Sequence, residues 1–174
     1  MNNNLLIVGA STYAVVAFEI ATDMKCFDNI DFIDDNKTIT PNGISVIGKT
    51  SDLDKFAFDY NNIVVAIGNP DIRLSILQKI KEINTYKIVS LISPKAYISP
   101  SAQIMDGCII EPMSVIHSCC VIGTGCIISA GAVINHACTC SDGVHIDCNA
   151  TVDGYCSIPE RSKIECGEIF KNFM

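Results

Sequence analysis

Residues 98–169 read ISPSAQ IMDGCI IEPMSV IHSCCV IGTGCI ISAGAV INHACT CSDGVH IDCNAT VDGYCS IPERSK IECGEI, twelve hexads in succession without an insertion. Eleven of them begin with Ile or Val, and the exception, Cys140, is itself a small apolar residue. Four residues after each of these come Ala102, Cys108, Ser114, Cys120, Cys126, Ala132, Cys138, Val144, Ala150, Cys156, Ser162 and Glu168, all small or Val but the last. A period of six with an aliphatic and a small position in each unit is the pattern of a parallel β-helix. Three hexads close one triangular coil, so residues 18 apart stack. Ile98, Ile116, Ile134 and Val152 should form one interior column, and Ile110, Ile128, Ile146 and Ile164 another. One coil cannot bury its own apolar face, so stacking must supply the core. The twelve hexads predict about four coils, a prism ~20 Å tall at about 4.8 Å between strands.

The same register accounts for most of the ten cysteines. Cys108, Cys120, Cys126, Cys138 and Cys156 fall at the small position and Cys140 at the aliphatic one, where a compact apolar side chain is wanted. One residue separates Cys138 from Cys140, and none separates Cys119 from Cys120; neither gap is that of a zinc ribbon. The cysteines are therefore expected to be packing residues, with no metal. Cys26, Cys119, Cys148 and Cys166 have no motif around them.

The residues before the repeat have a different grain. Leu5–Val8 reads as a short buried strand, Gly9-Ala10-Ser11-Thr12 as a turn, and 13–23 as a helix. Strand, glycine turn and helix are the first half of a nucleotide-binding unit, in which the helix N-terminus offers amides to a phosphate. Residues 30–33 predict a second strand ending in Asp34-Asp35. Those carboxylates can accept hydrogen bonds from a ribose or base edge, or they can serve a turn. Ser51 can cap a short helix through Phe56. Ile63–Ile67 is a central strand, Gly68-Asn69-Pro70 a turn, and 71–83 a helix carrying Arg73 in its first turn. A cation there opposes the helix dipole, so Arg73 either serves a ligand or faces solvent. Lys87–Ile92 is expected to close the sheet, and Ser93-Pro94 to mark the junction. The expected division is an α/β Rossmann-like domain over 1–93 and a left-handed parallel β-helix of hexapeptide repeats over 94–174.

Of the 174 residues, 49% are hydrophobic and 18% charged, the balance of a folded chain. The net charge of −7 without a basic stripe argues against nucleic acid as a partner. No apolar run reaches the roughly 20 residues that span a bilayer, and no leader pattern precedes Leu5. The expectation is a cytoplasmic protein without membrane insertion.

Taken in order, LLIVGAS (5–11), FIDDN (32–36), AIGNPDIR (66–73), SLISPKAYISPSA (90–102) and VINHACTCSDGVHIDCNATVDG (133–154) resemble the sialic acid O-acetyltransferase and UDP-4-amino-sugar N-acetyltransferase family. The resemblance covers nearly the whole chain. It implies a homotrimer that moves an acetyl group from acetyl-CoA, as co-substrate, to an amino or hydroxyl group of a nucleotide-linked sugar or sialic acid. The attack is direct, and no acyl-enzyme is needed. By the same resemblance Gly9, Ala10, Ser11, Asp34, Asp35, Gly68, Asn69 and Arg73 line the sugar-nucleotide pocket. His136 falls on the catalytic base, or is a surface histidine at a coil corner. His145 falls on a second histidine near the acetyl-CoA. An imidazole with a pKa of about 6.5 suits a base that takes a proton from an attacking amine or hydroxyl. The chain departs from the family pattern at Ala137, where an acidic residue usually follows the base, at Ser11-Thr12-Tyr13, where glycines and a histidine are usual, and in the short run after Ile164. A second reading therefore keeps nucleotide or partner binding without catalysis.

Overall fold

A computed structural model describes residues 3–171; residues 1–2 and 172–174, at the outer ends of the two predicted domains, lie outside the described residues. The first domain is a parallel sheet of β1 (Leu5–Val8), β2 (Ile30–Ile33), β3 (Val46–Gly48), β4 (Asn62–Val65) and β5 (Lys87–Ile88), in the order β3-β2-β1-β4-β5. The central strands β1 and β4 are buried on both faces, as a continuous apolar run between helices must be. Helix α1 (Thr12–Met24) covers one face, where Ala14, Ala17 and Ile20 meet Leu5, Ile7, Phe32 and Val64. The short α2 (Leu53–Phe56) and α3 (Pro70–Ile83) cover the other, with Leu77 and Ile80 against Leu6, Val8 and Val65. The β3 strand carries no periodic signal in the sequence. It forms because Val46 and Gly48 extend the edge of β2 across a register shift.

The repeat region is the predicted prism, built from two-residue strands on three faces. The first face stacks Leu91–Ile92, Ile109–Ile110, Ile127–Ile128, His145–Ile146 and Lys163–Ile164. The second stacks Tyr97–Ile98, Val115–Ile116, Val133–Ile134, Thr151–Val152 and Ile169–Phe170; the third, Gln103–Ile104, Val121–Ile122, Thr139–Cys140 and Ser157–Ile158. Partners are 18 residues apart throughout, as in Ile116↔Ile134 and Ile128↔Ile146, so the columns run as the hexad register requires. Ile110, Ile116, Ile128, Ile134, Ile146 and Ile164 lie in one core with Cys108, Cys120, Cys126, Cys138, Cys140 and Cys156. The cysteines are where the sequence places them. The Sγ atoms of Cys108, Cys120, Cys126 and Cys138 point at backbone carbonyls, as in Cys138 to Asp153 O at 3.0 Å.

The closing strand expected at Lys87–Ile92 needs correction. Val89 still donates to Ile63 O in the first sheet, but Leu91 donates to Cys108 O and pairs with the β-helix. The segment 87–92 is thus not one closing strand. It crosses from one sheet to the other at Ser90, whose Oγ donates to Met105 O. In Ile88-Val89-Ser90-Leu91-Ile92 only Ser90 interrupts the apolar residues, without a Gly or Pro, and Pro94 marks a later corner of the prism. Among the described residues no helix is long and apolar enough to cross a membrane.

The two domains pack on each other through apolar side chains. Leu91 and Ile109, on the first face, pack into the α1 side of the sheet. The corner between the third and first faces packs on α3. There Gly125 and Gly143 have φ of +66° and +71°, and a Cβ would stand 2.7 Å from Leu77 Cδ1 and 2.8 Å from Leu74 Cδ1 respectively. Glycine is required there both for the left-handed turn and for the close approach of the helix.

Candidate active site

A cleft of about 280 Å³ opens at the carboxyl ends of β1, β2 and β4, lined by Gly9, Ala10, Ser11, Asp34, Asp35, Gly68, Ile67 and Ile72 among others. This is the switch point of the sheet, the place where open parallel sheets take ligands. Gly9 has φ +111°, and a Cβ on it would lie 2.9 Å from Ala66 O, so the β1–α1 and β4–α3 turns meet only because this residue has no side chain.

The two carboxylates of the cleft are already engaged. Asp34 Oδ2 accepts from Ala10 N at 2.8 Å, and its Oδ1 accepts from Asn36 N and Lys37 N. Asp34 thus ties the glycine turn to the end of β2. Asp35 accepts from Thr50 N at 2.8 Å and from Thr50 Oγ1, and remains exposed. Of the two carboxylates, Asp35 has the capacity left for a ligand hydroxyl.

Two helix N-termini flank the cleft, and they differ. At α3 the Asn69 side chain accepts from Ile72 N at 3.1 Å, and Pro70 has no N–H, so this end is closed. At α1 Ser11 makes no side-chain cap, and the first turn holds no acidic residue. Its amides are the ones open to an anion.

Two of the predicted pocket residues are not among those that line the cleft. Asn69 is the α3 cap. Arg73 neither lines the cleft nor faces solvent: it is completely buried. Its Nε donates to Gly125 O at 2.7 Å and its NH2 to Gly143 O at 2.9 Å, while NH1 donates to Ile67 O and Gly68 O at 2.6 and 2.8 Å. One guanidinium fork holds the β4–α3 loop and two coils of the β-helix together. The helix-dipole argument failed because four carbonyl dipoles offset the cation's position.

The histidines are on the β-helix. His136 follows Val133–Ile134 at the corner between the second and third faces, opposite the face that the first domain covers. It is exposed; its N donates to Asn135 Oδ1 at 2.8 Å, and its ring lies 4.9 Å from that of Tyr155. His145 is on the first face, stacked below the buried Ile127 and above the exposed Lys163. It sits at the rim of the domain interface, half-buried, with Nε2 3.1 Å from Ser129 Oγ. Burial lowers its pKa against the opposing pull of Asp147. Glu111, one coil above Ser129 at the same corner, is buried; its Oε2 accepts from Ala130 N at 3.0 Å, and burial raises its pKa. The buried Tyr13 hydroxyl is directed toward Glu111 without a well-formed hydrogen bond, and burial, reinforced by Glu111, raises its pKa well above 10.0. Ser129, Glu111 and Tyr155 were not singled out in the sequence, although the 18-residue stack would have placed Tyr155 beneath Ala137. One chain therefore brings Gly9, Ala10, Ser11, Asp34, Asp35 and Gly68 together, and holds His136 and His145 on separate parts of the prism. Among the described residues no three His, Cys, Asp or Glu side chains converge as metal ligands.

A Rossmann-like sheet with an open helix N-terminus, docked on a hexapeptide prism that carries an exposed histidine, defines a hexapeptide-repeat acyltransferase with a built-in nucleotide-type domain. The PglD N-terminal domain pattern matches residues 4–80, and the bacterial transferase hexapeptide pattern matches residues 101–136. The acetyltransferase domain of PglB from Neisseria gonorrhoeae, solved in complex with acetyl coenzyme A, is 32% identical over 97% of this chain and 82% of that one, with a TM-score of 0.92. A variant of GDP-perosamine N-acetyl transferase from Caulobacter crescentus, solved with CoA and GDP-perosamine, shares the fold at 20% identity, 97% and 89% coverage and a TM-score of 0.86. WeeI from Acinetobacter baumannii does so at 17% identity, 97% and 88% coverage and a TM-score of 0.59. The chain belongs to the PglD-like family of hexapeptide-repeat acetyltransferases.

Proposed function

We propose that this protein transfers an acetyl group from acetyl-CoA to the amino group of a nucleotide-linked amino sugar, with His136 as general base. The observation that carries the reading is the 32% identity, over 97% of the chain, to an acetyltransferase domain that binds acetyl-CoA. The cleft supports it: the open α1 amides suit a diphosphate, and Asp35 suits a ribose hydroxyl. In the reaction the amine nitrogen attacks the thioester carbonyl carbon, the C–S bond breaks, and the amine proton passes to the His136 imidazole. CoA leaves as the thiolate and is protonated. His145 lies on the acetyl-CoA side of the site.

His136 stands at the vertex opposite its own first domain, so the acceptor held in one chain's cleft needs the imidazole of another copy. A homotrimer supplies it. The test is a CoA-release assay with UDP-4-amino sugars. His136→Ala should lower kcat by roughly 100- to 10,000-fold, the usual worth of general base catalysis, and leave sugar-nucleotide binding nearly unchanged. Equal turnover by wild type and variant would remove His136 from the role. An absence of turnover with every acceptor, alongside measurable nucleotide binding, would favour a binding protein that has lost catalysis.

A further inference from the structure

We propose that Tyr155 is a positioning residue for His136, its ring holding the imidazole at the vertex of the prism. The inference rests on the reading of His136 as the base. Residues 18 apart stack, so the coil that carries Thr151–Val152 brings Gly154-Tyr155 beneath His136-Ala137. Gly154 is the floor of the niche: a Cβ there would stand 3.0 Å from His136 Cε1 and 3.3 Å from Nε2. Tyr155 is its wall, with the ring planes at 82° and the centroids 4.9 Å apart. The backbones are tied by Tyr155 N donating to His136 O at 3.1 Å. Edge-to-face is an arrangement that ring quadrupoles favour, so the pair selects one imidazole orientation among several. No ion pair among the described residues reaches His136.

The turn at Tyr155 has φ +60°, the left-handed conformation that Gly107, Gly125, Gly131, Gly143 and Gly167 hold at equivalent corners and that Met113, Cys119, Ala137, Asn149 and Arg161 hold with a side chain. Glycine adopts it without strain. At Tyr155 the turn sets a residue that is 73% exposed, outside the core, with its ring against the imidazole.

The experiment compares wild type, Tyr155→Gly and Tyr155→Phe in kcat, both KM values, Tm, oligomeric mass and the NMR ring-proton shifts of His136 in histidine-labelled protein. Tyr155→Gly relieves the turn, so Tm should hold or rise with the oligomeric mass unchanged. Its kcat should fall roughly 10- to 100-fold, the effect of a displaced catalytic group, while both KM values stay within about twofold. The His136 ring protons should lose the tyrosine ring-current shift. Tyr155→Phe keeps the ring and should restore kcat, KM and the shifts. A wild-type kcat in Tyr155→Gly overturns the proposal, as do unmoved His136 resonances. A kcat that falls together with Tm or with oligomeric mass assigns the ring to folding or assembly, and overturns it as well. His136→Ala, run in parallel, separates this from the functional reading: if it turns over like wild type the base assignment fails, while the resonances still report whether Tyr155 seats the ring.

Discussion

Arg73 joins the two domains through a single side chain. Its guanidinium is the sole side-chain partner that the Gly125 and Gly143 carbonyls have among the described hydrogen bonds, and it spans both domains. Removing a charged donor strands buried acceptors, and each such bond contributes about 1.5–3 kcal/mol. Arg73→Met, which keeps the stem volume, should therefore destabilise by about 3 kcal/mol or more, lowering Tm by roughly 6–12 °C for a chain of this size; thermal denaturation checks it. An arginine that only contacted a ligand would leave Tm of the free protein unchanged. His145 makes a second residue-scale prediction. Burial lowers its folded-state pKa, so the unfolded chain takes up the proton first. Its contribution is present above the unfolded value of about 6.5 and is lost as pH falls through that value toward the folded one. Tm should fall between pH 7.5 and 5.5, and His145→Gln should flatten that slope.

Each coil depends on its neighbours, and the cysteine columns show how. Cys120, Cys138 and Cys156 succeed one another at one corner, Cys108 and Cys126 at another, and each is closed off by the coil above and below. Burial pushes the Cys138 thiol up to about 11 and Cys140 higher still, while Cys126 is raised by its neighbour Cys108 and by burial. Thiols closed off from solvent are out of reach of a reagent. In the native protein at most four of the ten cysteines, Cys26, Cys119, Cys148 and Cys166, should react with a thiol reagent; all ten should react in denaturant. Rapid native labelling of Cys108, Cys120, Cys126, Cys138, Cys140 or Cys156, read by peptide mass mapping, would contradict the register.

At the scale of the whole molecule the second face and its flanking corners stand out. Tyr97, Met113, Tyr155 and Ile169 are more than half exposed there. A threefold assembly covers such a face and the edges of short strands, and light scattering should return three times the chain mass. Ligands should then act through linkage. A UDP-sugar or acetyl-CoA at 100 times its dissociation constant should add about 2.7 kcal/mol, a rise in Tm of roughly 5–10 °C. The cleft lies in each chain, so sugar-nucleotide stabilisation should survive His136→Ala.

The hexads alone determined the prism, its columns and the burial of six cysteines, because a period of six leaves an aliphatic side chain only one way to face inward. The strand–turn–helix grammar likewise determined the strands β1, β2 and β4 and the turns at Gly9 and Gly68. Only the tertiary structure decided what the polar residues do. Arg73 became a domain staple, Asn69 a cap and Asp34 a turn anchor, because each took the nearest unmatched backbone groups, and those come from segments as distant as Gly143. The crossing at Ser90 was likewise hidden, since one Ser between Ile88-Val89 and Leu91-Ile92 does not record which of two sheets each pair joins. Apolar side chains obey periodicity, which is local and written in the sequence. A buried donor or acceptor must find a partner in space, and the chain supplies that partner only once it has folded.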